Sequence, residues 1–147
     1  MRTADVVVIG GGIHGCATAL HLALRGLKPI LVEKDYAGRH ASGVNAGGVR
    51  QLARDLAEIP LSISSMALWE RIEELTGDDC GFESHGTVLV AENETELASF
   101  RNRVEDLRLR GFTHEELIDR AELKRLVPAV ADHCPGGVVS RRDGAAD

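Results

Sequence analysis

The sequence has few aromatic residues, few prolines and few cysteines, and it carries no excess of positive charge. Aromatic residues make up 3% of the 147 positions, which is too few for the stacking platforms of single-stranded nucleic-acid binders. The formal net charge is −6, from 17 basic and 23 acidic residues, so the basic surface of a nucleic-acid-binding protein is missing as well. With 4 Pro, 16 Gly and 44% hydrophobic residues, the composition is globular rather than disordered, collagen-like or coiled-coil. We therefore expect a globular protein without a nucleic-acid partner.

Cysteine content and apolar runs exclude further classes. The three cysteines are odd in number and widely spaced: Cys16, Cys80 and Cys134. Neither a disulfide framework nor a zinc site is expected from them, and a reducing cytoplasm suits them better. The histidines also lack the spacing of metal ligands, so we expect no metal. No apolar run reaches the ~18 residues of a membrane-spanning helix, and the acid before the first short apolar run argues against a secretory signal.

The first third of the sequence predicts a βαβ unit. Val6–Ile9 is a continuous run of the β-branched residues that suit a strand buried on both faces. Glycines at 10–12 break this run, and apolar residues then recur near the helical period up to Leu27. Residues 30–32 form a second apolar strand. Two parallel strands joined by one helix form a right-handed crossover, so the predicted fold class is α/β.

The turn after the first strand has the spacing G-x-G-x-x-G, formed by Gly10, Gly12 and Gly15. The first glycine permits the tight turn, the second lets a pyrophosphate approach the main chain, and the third lets the helix pack closely on the strand. Ile13 and His14 fill the variable positions between the second and third glycines. The pyrophosphate would meet free N–H groups at the positive end of the helix. A dinucleotide site is therefore predicted here.

Glu33 ends the second strand, where a carboxylate can accept hydrogen bonds from an adenosine ribose. An acid at this position disfavours a 2′-phosphate, which argues against NADP. The residues themselves leave FAD and NAD open. A second stretch of small residues follows at 41–51, where the main chain can approach a large planar ligand. Within it, Ser42 can donate to a phosphate, and the Asn45 amide can bond to main chain or cofactor.

The glycine motif, the pair Glu33-Lys34 and residues 41–50 resemble the FAD-dependent amine and amino-acid oxidoreductases. That family includes D-amino acid oxidase, glycine oxidase, sarcosine oxidase and the hydrogen cyanide synthase subunits. The resemblance is strongest over residues 4–51. It implies an FAD site formed by Gly10, Gly12, Ile13, His14, Gly15, Glu33, Lys34, Ser42, Asn45, Ala46, Gly47 and Gly48. Some members of the family attach the flavin covalently through His or Cys, but no residue here establishes such a bond, and we expect non-covalent FAD. The resemblance implies that the flavin takes a hydride from the α-carbon of a neutral amine, giving an imine that water hydrolyses.

Arg50 follows this loop and has two interpretations. The resemblance implies that it lies near the flavin or faces a substrate carboxylate, whereas by itself it is equally a surface arginine that begins the next helix. The resemblance assigns no catalytic base within these residues.

The remaining residues predict helices and short strands rather than another βαβ unit. A helix is expected from Pro60, with Leu61, Leu68 and Leu75 on its inner face, and a strand at 86–91 is expected to pair near Phe82. Capping boxes begin two further helices: Asn93 with Glu96, and Asp119 with Glu122. Charged helix residues, among them Arg103, are expected in solvent, and the last ten residues show no helix or cap.

The resemblance implies that 1–58 belong to an FAD-binding domain and that 59–147 begin an inserted α+β substrate domain. We expect an incomplete domain that needs further sequence or a partner subunit. The expected function is part of an FAD-dependent oxidoreductase acting on a small amine or amino acid. Two alternatives stay open: an NAD-dependent dehydrogenase domain, and a non-catalytic dinucleotide-binding module.

Overall fold

The computed structural model describes residues 3–147, and the chain divides into two compact units between Ala46 and Gly47. The first unit consists of β1 (Val6–Ile9), α1 (Ile13–Leu24), β2 (Pro29–Val32) and a 3₁₀ turn at Ala41–Gly43. The two strands are parallel, with Val6 opposite Pro29 and Ile9 opposite Val32. Gly26 follows the end of α1 with a φ of +80°, the left-handed conformation that ends many helices. The predicted βαβ unit is confirmed, but the expected burial of β1 on both faces is wrong, since Val7 is 59% exposed and Ile9 is 88% exposed.

The second unit, Gly47–Asp147, is an α+β arrangement. Its elements, in chain order, are β3 (Gly48–Val49), α2 (Ile59–Trp69), α3 (Ile72–Thr76), β4 (Thr87–Ala91), α4 (Glu94–Leu109), β5 (Glu116–Asp119), α5 (Arg120–Leu126), β6 (Gly136–Ser140) and β7 (Gly144–Ala145). Three of the strands form an antiparallel sheet in the order β4-β6-β5. The other two, β3 and β7, form a separate antiparallel pair.

The core of this unit lies against β6, in which all five residues are buried. Val138 packs with Leu52 and Val104, and Val139 packs with a second group of buried residues that includes Leu123. The last ten residues, in which no helix or cap was expected, contain the end of the central strand and all of β7. The sequence of β6 begins with two glycines and is short, so periodicity alone could not distinguish it from a loop.

Strand β4 lies where a strand was predicted, but its expected partner was wrong. It pairs with β6, with Thr87 opposite Ser140, whereas Glu83, next to Phe82, forms an isolated bridge with Ala145. The partner of β4 is distant in sequence, so no local turn signal could reveal it.

The helix predicted from Pro60 is two helices, and its predicted inner face was wrong. The chain leaves the helical conformation at Arg71, which has a φ of −121° and separates α2 from α3. Ile59 and Met66 are the buried residues of α2, whereas Leu61 is 74% exposed and Leu68 is 43% exposed. Apolar residues occur all around this helix, so the pattern could not select a face.

Both predicted capping boxes are confirmed at their N-caps. The Asn93 side chain accepts a hydrogen bond from the N–H of Glu96, and the Asp119 side chain accepts one from the N–H of Glu122. In residues 3–147 no helix has the length and apolar character needed to span a membrane.

The predicted domain boundary after residue 58 remains a prediction. The units divide earlier, after Ala46, so that β3 and the loop that follows it lie in the second unit.

Candidate functional site

The turn between β1 and α1 needs glycine at two positions. Gly10 has a φ of +104°, which L side chains rarely adopt. Its N–H donates to the carbonyl of Val32 at 2.8 Å, which joins the turn to β2. A Cβ atom at Gly15 would lie 1.9 Å from the carbonyl oxygen of Gly10. The helix can therefore approach the turn this closely only with glycine at position 15.

The N-terminus of α1 begins at Gly12, which provides no side-chain cap. The first N–H groups of a helix lack acceptors within the helix, and the first turn of α1 has no acidic residue to neutralise its positive end. The Ile13 N–H donates to the Ser42 hydroxyl at 2.9 Å. Because a hydroxyl can accept and donate together, Ser42 keeps a hydrogen atom available for a phosphate oxygen.

The second small-residue stretch lies against the glycine turn within the first unit. The Gly38 N–H donates to the carbonyl of Gly11 at 2.9 Å. At Gly43 a Cβ atom would lie 2.1 Å from the carbonyl oxygen of Gly38, so the loop is folded tightly on itself. The Asn45 amide donates to the carbonyl of Ser42. These contacts bring Ser42 to the start of α1.

The Glu33 carboxylate turns back onto the glycine turn. One oxygen accepts the Gly11 N–H at 2.6 Å, and the other accepts the Asp35 N–H at 3.1 Å. These hydrogen bonds, the one from Gly11 above all, lower the pKa of Glu33 from its ordinary value of 4.5. The carboxylate is therefore held ionised beside the turn.

The structure brings several predicted site residues together in the first unit, where Gly12, Ile13, Glu33 and Ser42 surround the same turn. The His14 side chain, by contrast, lines an open groove on α1 with His21 and Arg25, and Lys34 is exposed. Ala46 is the last residue of the first unit.

Three predicted site residues lie in the second unit: Gly47, Gly48 and Arg50. A Cβ atom at Gly47 would lie 2.1 Å from the carbonyl oxygen of Ala146, and Gly48 pairs with Ala145 through β3 and β7. The missing side chain at Gly47 therefore permits the close approach to Ala146, whereas a Cβ atom at Gly48 would meet nothing within 4 Å.

A cavity of about 280 Å³ in the second unit is lined by Arg50, Arg54, Met66 and Trp69, among others. Arg50 is exposed, and its guanidinium has no acidic partner among residues 3–147. Arg54 lies 3.9 Å from Glu58, which also lines the cavity, in a largely exposed pair. Because exposed pairs of this kind are weak, the two arginines can bind an anionic ligand here.

Two buried carboxylates that no sequence pattern predicted contact the main chain just after Arg50. Asp143 is fully buried, and Glu115 is 3% exposed. Arg103, which was expected in solvent, instead donates to both Glu115 oxygens, at 2.7 and 2.8 Å. The prediction was wrong because the periodicity of α4 describes that helix alone and places Arg103 on its outer face. Its partner Glu115 lies beyond the end of α4 and packs against that face only in the folded protein.

The pKa of Glu115 reflects two opposing effects. Burial alone would raise it, but hydrogen bonds from Arg103 and from the Ala53 N–H, together with the Arg103 charge, outweigh the burial and lower it. Glu115 is therefore a buried carboxylate that remains charged.

The residues present fit a dinucleotide. The glycine turn exposes main chain at the positive end of α1, Ser42 offers a hydroxyl there, and Glu33 ends the second strand. This combination of strand, glycine turn, helix and acid defines the class of dinucleotide-binding α/β proteins. A profile of the family described as FAD dependent oxidoreductase matches residues 5–147, and the chain belongs to this family. The resemblance seen in the sequence is confirmed, FAD is the cofactor of the family, and the NAD-dependent alternative is not favoured.

Three known proteins illustrate the similarity. The chain is 30% identical to the sarcosine oxidase subunit beta of Rhizobium meliloti (strain 1021), covering 95% of this chain and 35% of that protein. Glycine oxidase from Bacillus cereus ATCC 14579 is 28% identical, with a TM-score of 0.80, over 98% of this chain and 40% of its own. Dithionite-reduced L-alpha-glycerophosphate oxidase from Mycoplasma pneumoniae, with FAD bound, is 28% identical, with a TM-score of 0.76. The match covers 100% of this chain and 40% of that protein. The chain thus spans about a third of the length of the first of these relatives.

Proposed function

We propose that this chain is the FAD-binding part of an oxidoreductase that oxidises the C–N bond of a small amine or amino acid. The observation that carries the proposal is the start of α1, where the Ser42 hydroxyl meets the Ile13 N–H beside a bare Gly12. A helix N-terminus with accessible main chain is suited to a diphosphate. The amine class is supported by the similarity to a sarcosine oxidase subunit and to a glycine oxidase.

In this proposal the diphosphate lies against the main chain of the glycine turn. Ser42 donates to a phosphate oxygen, and Glu33 accepts from the ribose hydroxyls while it keeps the Gly11 N–H. The remaining predicted contacts come from main chain or small residues along the cofactor: Gly10, His14, Gly15, Lys34, Asn45, Ala46, Gly47 and Gly48. Residues 1–58 then contribute to the FAD domain, and 59–147 begin the substrate domain.

Arg50 is proposed to face the carboxylate of the substrate, with Arg54 beside it on the cavity wall. Trp69 and Met66 provide an apolar wall for the rest of the ligand. The bound FAD supplies the redox chemistry by accepting a hydride. The residues of this chain bind and orient the cofactor and the substrate, and no catalytic base is assigned among them.

We also propose where the protein is located in the cell and what completes its binding sites. The odd number of widely spaced cysteines supports the reducing cytoplasm. Further sequence or a partner subunit is proposed to complete the flavin and substrate sites, since the chain spans only part of the length of its relatives.

The proposal is tested by cofactor binding in the chain expressed with the sequence or subunit that completes it. We expect FAD, and not NAD, to bind, with about tenfold weaker FAD binding for Glu33→Gln, because loss of a charge-assisted hydrogen bond costs roughly 1.5 kcal/mol or more. Asp35→Asn is the matched control, since within residues 3–147 that carboxylate pairs with the exposed Arg39 alone. Equal FAD affinity of Glu33→Gln and the control would contradict the proposed ribose contact.

Substrate class is tested by anaerobic bleaching of the bound flavin with glycine, sarcosine, proline and D-amino acids. Bleaching by one of these supports the proposal. FAD binding without bleaching by any amine would instead favour the non-catalytic module.

A further inference from the structure

Four consecutive residues, 51–54, are held through their main chain by side chains that are distant in sequence. The Asp143 carboxylate accepts the N–H of Gln51 at 2.8 Å and the N–H of Leu52 at 3.0 Å. It also accepts the hydroxyl of Ser140 at 2.8 Å. Three donors therefore converge on the fully buried Asp143 carboxylate.

The next two residues are held by an ion pair. Ala53 has a φ of +58°, which is rare for a residue other than glycine, and its N–H donates to Glu115 at 2.9 Å. Arg103 donates to Glu115 and also to the carbonyl of Arg54 at 2.8 Å. The left-handed conformation at Ala53 is thus maintained by Glu115.

The hydrogen bonds that hold Gln51 involve its main chain and not its side chain. Gln51 is 1% exposed, and neither polar atom of its amide has a hydrogen-bond partner among residues 3–147. A buried amide without partners is unfavourable. The segment holds this arrangement although it leaves the Gln51 amide unsatisfied.

The held segment lies between the two arginines of the cavity. Arg50 precedes it, Arg54 ends it, and the Arg54 guanidinium is 3.9 Å from Glu58. Without these contacts, Arg50 and Arg54 would no longer be held in their positions on the cavity wall. A site whose charged groups are not held in place binds its ligand more weakly, because ordering them costs free energy on binding.

We propose that Glu115 and Asp143 are positioning residues that fix residues 51–54 and thereby set the affinity of the Arg50–Arg54 cavity for a carboxylate ligand. Neither residue lines the cavity. This inference rests on the proposed function for the anionic ligand, but the fixing of the segment is measured separately.

The experiment uses the FAD-loaded protein with propionate as the probe and propionamide as its neutral counterpart. Affinities come from isothermal titration calorimetry, and hydrogen exchange of the Gln51, Leu52 and Ala53 amides reports how the segment is held. We expect Glu115→Gln and Asp143→Asn to bind propionate about tenfold more weakly, with unchanged propionamide binding and faster exchange of these amides.

Two matched controls make the same chemical changes elsewhere. Glu116→Gln alters the neighbouring carboxylate on β5, which pairs with the exposed Arg141. Asp132→Asn alters an exposed carboxylate that pairs with Lys124. Both controls are expected to match the unmodified protein in affinity and exchange.

Wild-type propionate affinity in folded Glu115→Gln and Asp143→Asn proteins would overturn the inference. If Glu115→Gln fails to fold, Arg103→Lys replaces it, because lysine keeps the charge but cannot bond Glu115 at two points and Arg54 together. If Asp143→Asn fails to fold, Ser140→Ala replaces it, because it removes the hydroxyl that donates to Asp143. If the unmodified protein does not bind propionate, the proposed carboxylate site is wrong. In that case hydrogen exchange alone tests whether Glu115 and Asp143 fix residues 51–54. Unchanged protection of these amides in the variants would overturn the positioning role.

Discussion

Position 12 illustrates how one missing side chain shapes the proposed cofactor site. A Cβ atom at Gly12 would lie 2.9 Å from the Ser42 hydroxyl oxygen, which is closer than a carbon and a hydroxyl oxygen tolerate. It would also project where the diphosphate is proposed to meet the main chain. The residue therefore affects both the fold of the loop and the binding of the cofactor.

Gly12→Ala is expected to weaken FAD binding at least about tenfold and to destabilise the protein by about 1 kcal/mol through loss of the Ser42–Ile13 hydrogen bond. Equilibrium unfolding in urea and FAD titration measure the two effects. The double variant Gly12→Ala/Ser42→Ala separates them, since removing the hydroxyl gives the new methyl group room. We expect stability to return to that of Ser42→Ala alone, while FAD binding stays weaker than in Ser42→Ala. Equal FAD binding in the double variant and in Ser42→Ala would show that Gly12 acts only through Ser42.

Glu33 predicts a dependence on pH. Its pKa is lowered in the folded protein, mainly by the Gly11 N–H, so the folded state binds the proton less well than the unfolded state. The stabilisation is therefore complete above the unfolded value near 4.5 and is lost as the pH falls through the lower folded value. The protection of the Gly11 amide, measured as its hydrogen-exchange rate relative to that of an unstructured peptide at the same pH, should fall over that acidic range. Glu33→Gln should lack this dependence, and an identical acid response in both proteins would contradict the assignment.

Strand β6 depends on small residues for its central place in the sheet. A Cβ atom at Gly137 would lie 2.3 Å from the carbonyl oxygen of Leu89, and one at Gly136 would lie 2.4 Å from that of Ile118. The main chains of β4 and β5 therefore occupy the space that side chains at these two positions would need. The glycines that conceal this strand in the sequence are required for its pairing.

Gly137→Ala is expected to destabilise the protein by about 3 kcal/mol, because the new methyl group meets main chain that cannot move aside. Val138→Ala should cost about 2 kcal/mol by leaving a cavity in the core. Unfolding in urea measures both changes. Leu109→Ala, at a position 81% exposed, is the control and should change stability by no more than about 0.5 kcal/mol. Equal effects at Val138 and Leu109 would contradict the central place of β6.

The βαβ unit leaves much apolar surface uncovered. Ile9 is 88% exposed, Val7 is 59% exposed and Val32 is 50% exposed. Among the described residues, β1 and β2 pair only with each other, so their outer edges can pair with other chains. A two-stranded sheet is also marginal in water.

Expressed alone, the 147-residue chain is expected to be poorly soluble and to lose FAD. Size-exclusion chromatography and the flavin absorbance of the purified protein test this. Ile9→Lys should reduce aggregation without restoring the cofactor, since it removes exposed apolar surface and adds no binding group. A monodisperse yellow monomer with stoichiometric FAD would contradict the prediction.

Features that depend on near neighbours were predictable from the sequence. The glycine turn, the left-handed Gly26 and the N-caps at Asn93 and Asp119 follow from residues a few positions apart. Features that depend on distant partners were not. Asp143 bonds to main chain 91 and 92 positions away, and no short pattern marks a carboxylate for such a role.

The amino-acid sequence by itself determined the βαβ unit and the glycine turn, because both rest on local spacing, and its resemblance to known oxidoreductases indicated the family. Only the tertiary structure decided that β6 is the centre of the second sheet, that Arg103 is paired rather than solvated, and that Glu115 and Asp143 hold the segment beside Arg50. These outcomes depend on burial and on hydrogen bonds between distant residues. Their energies exist only once the chain has brought those residues together.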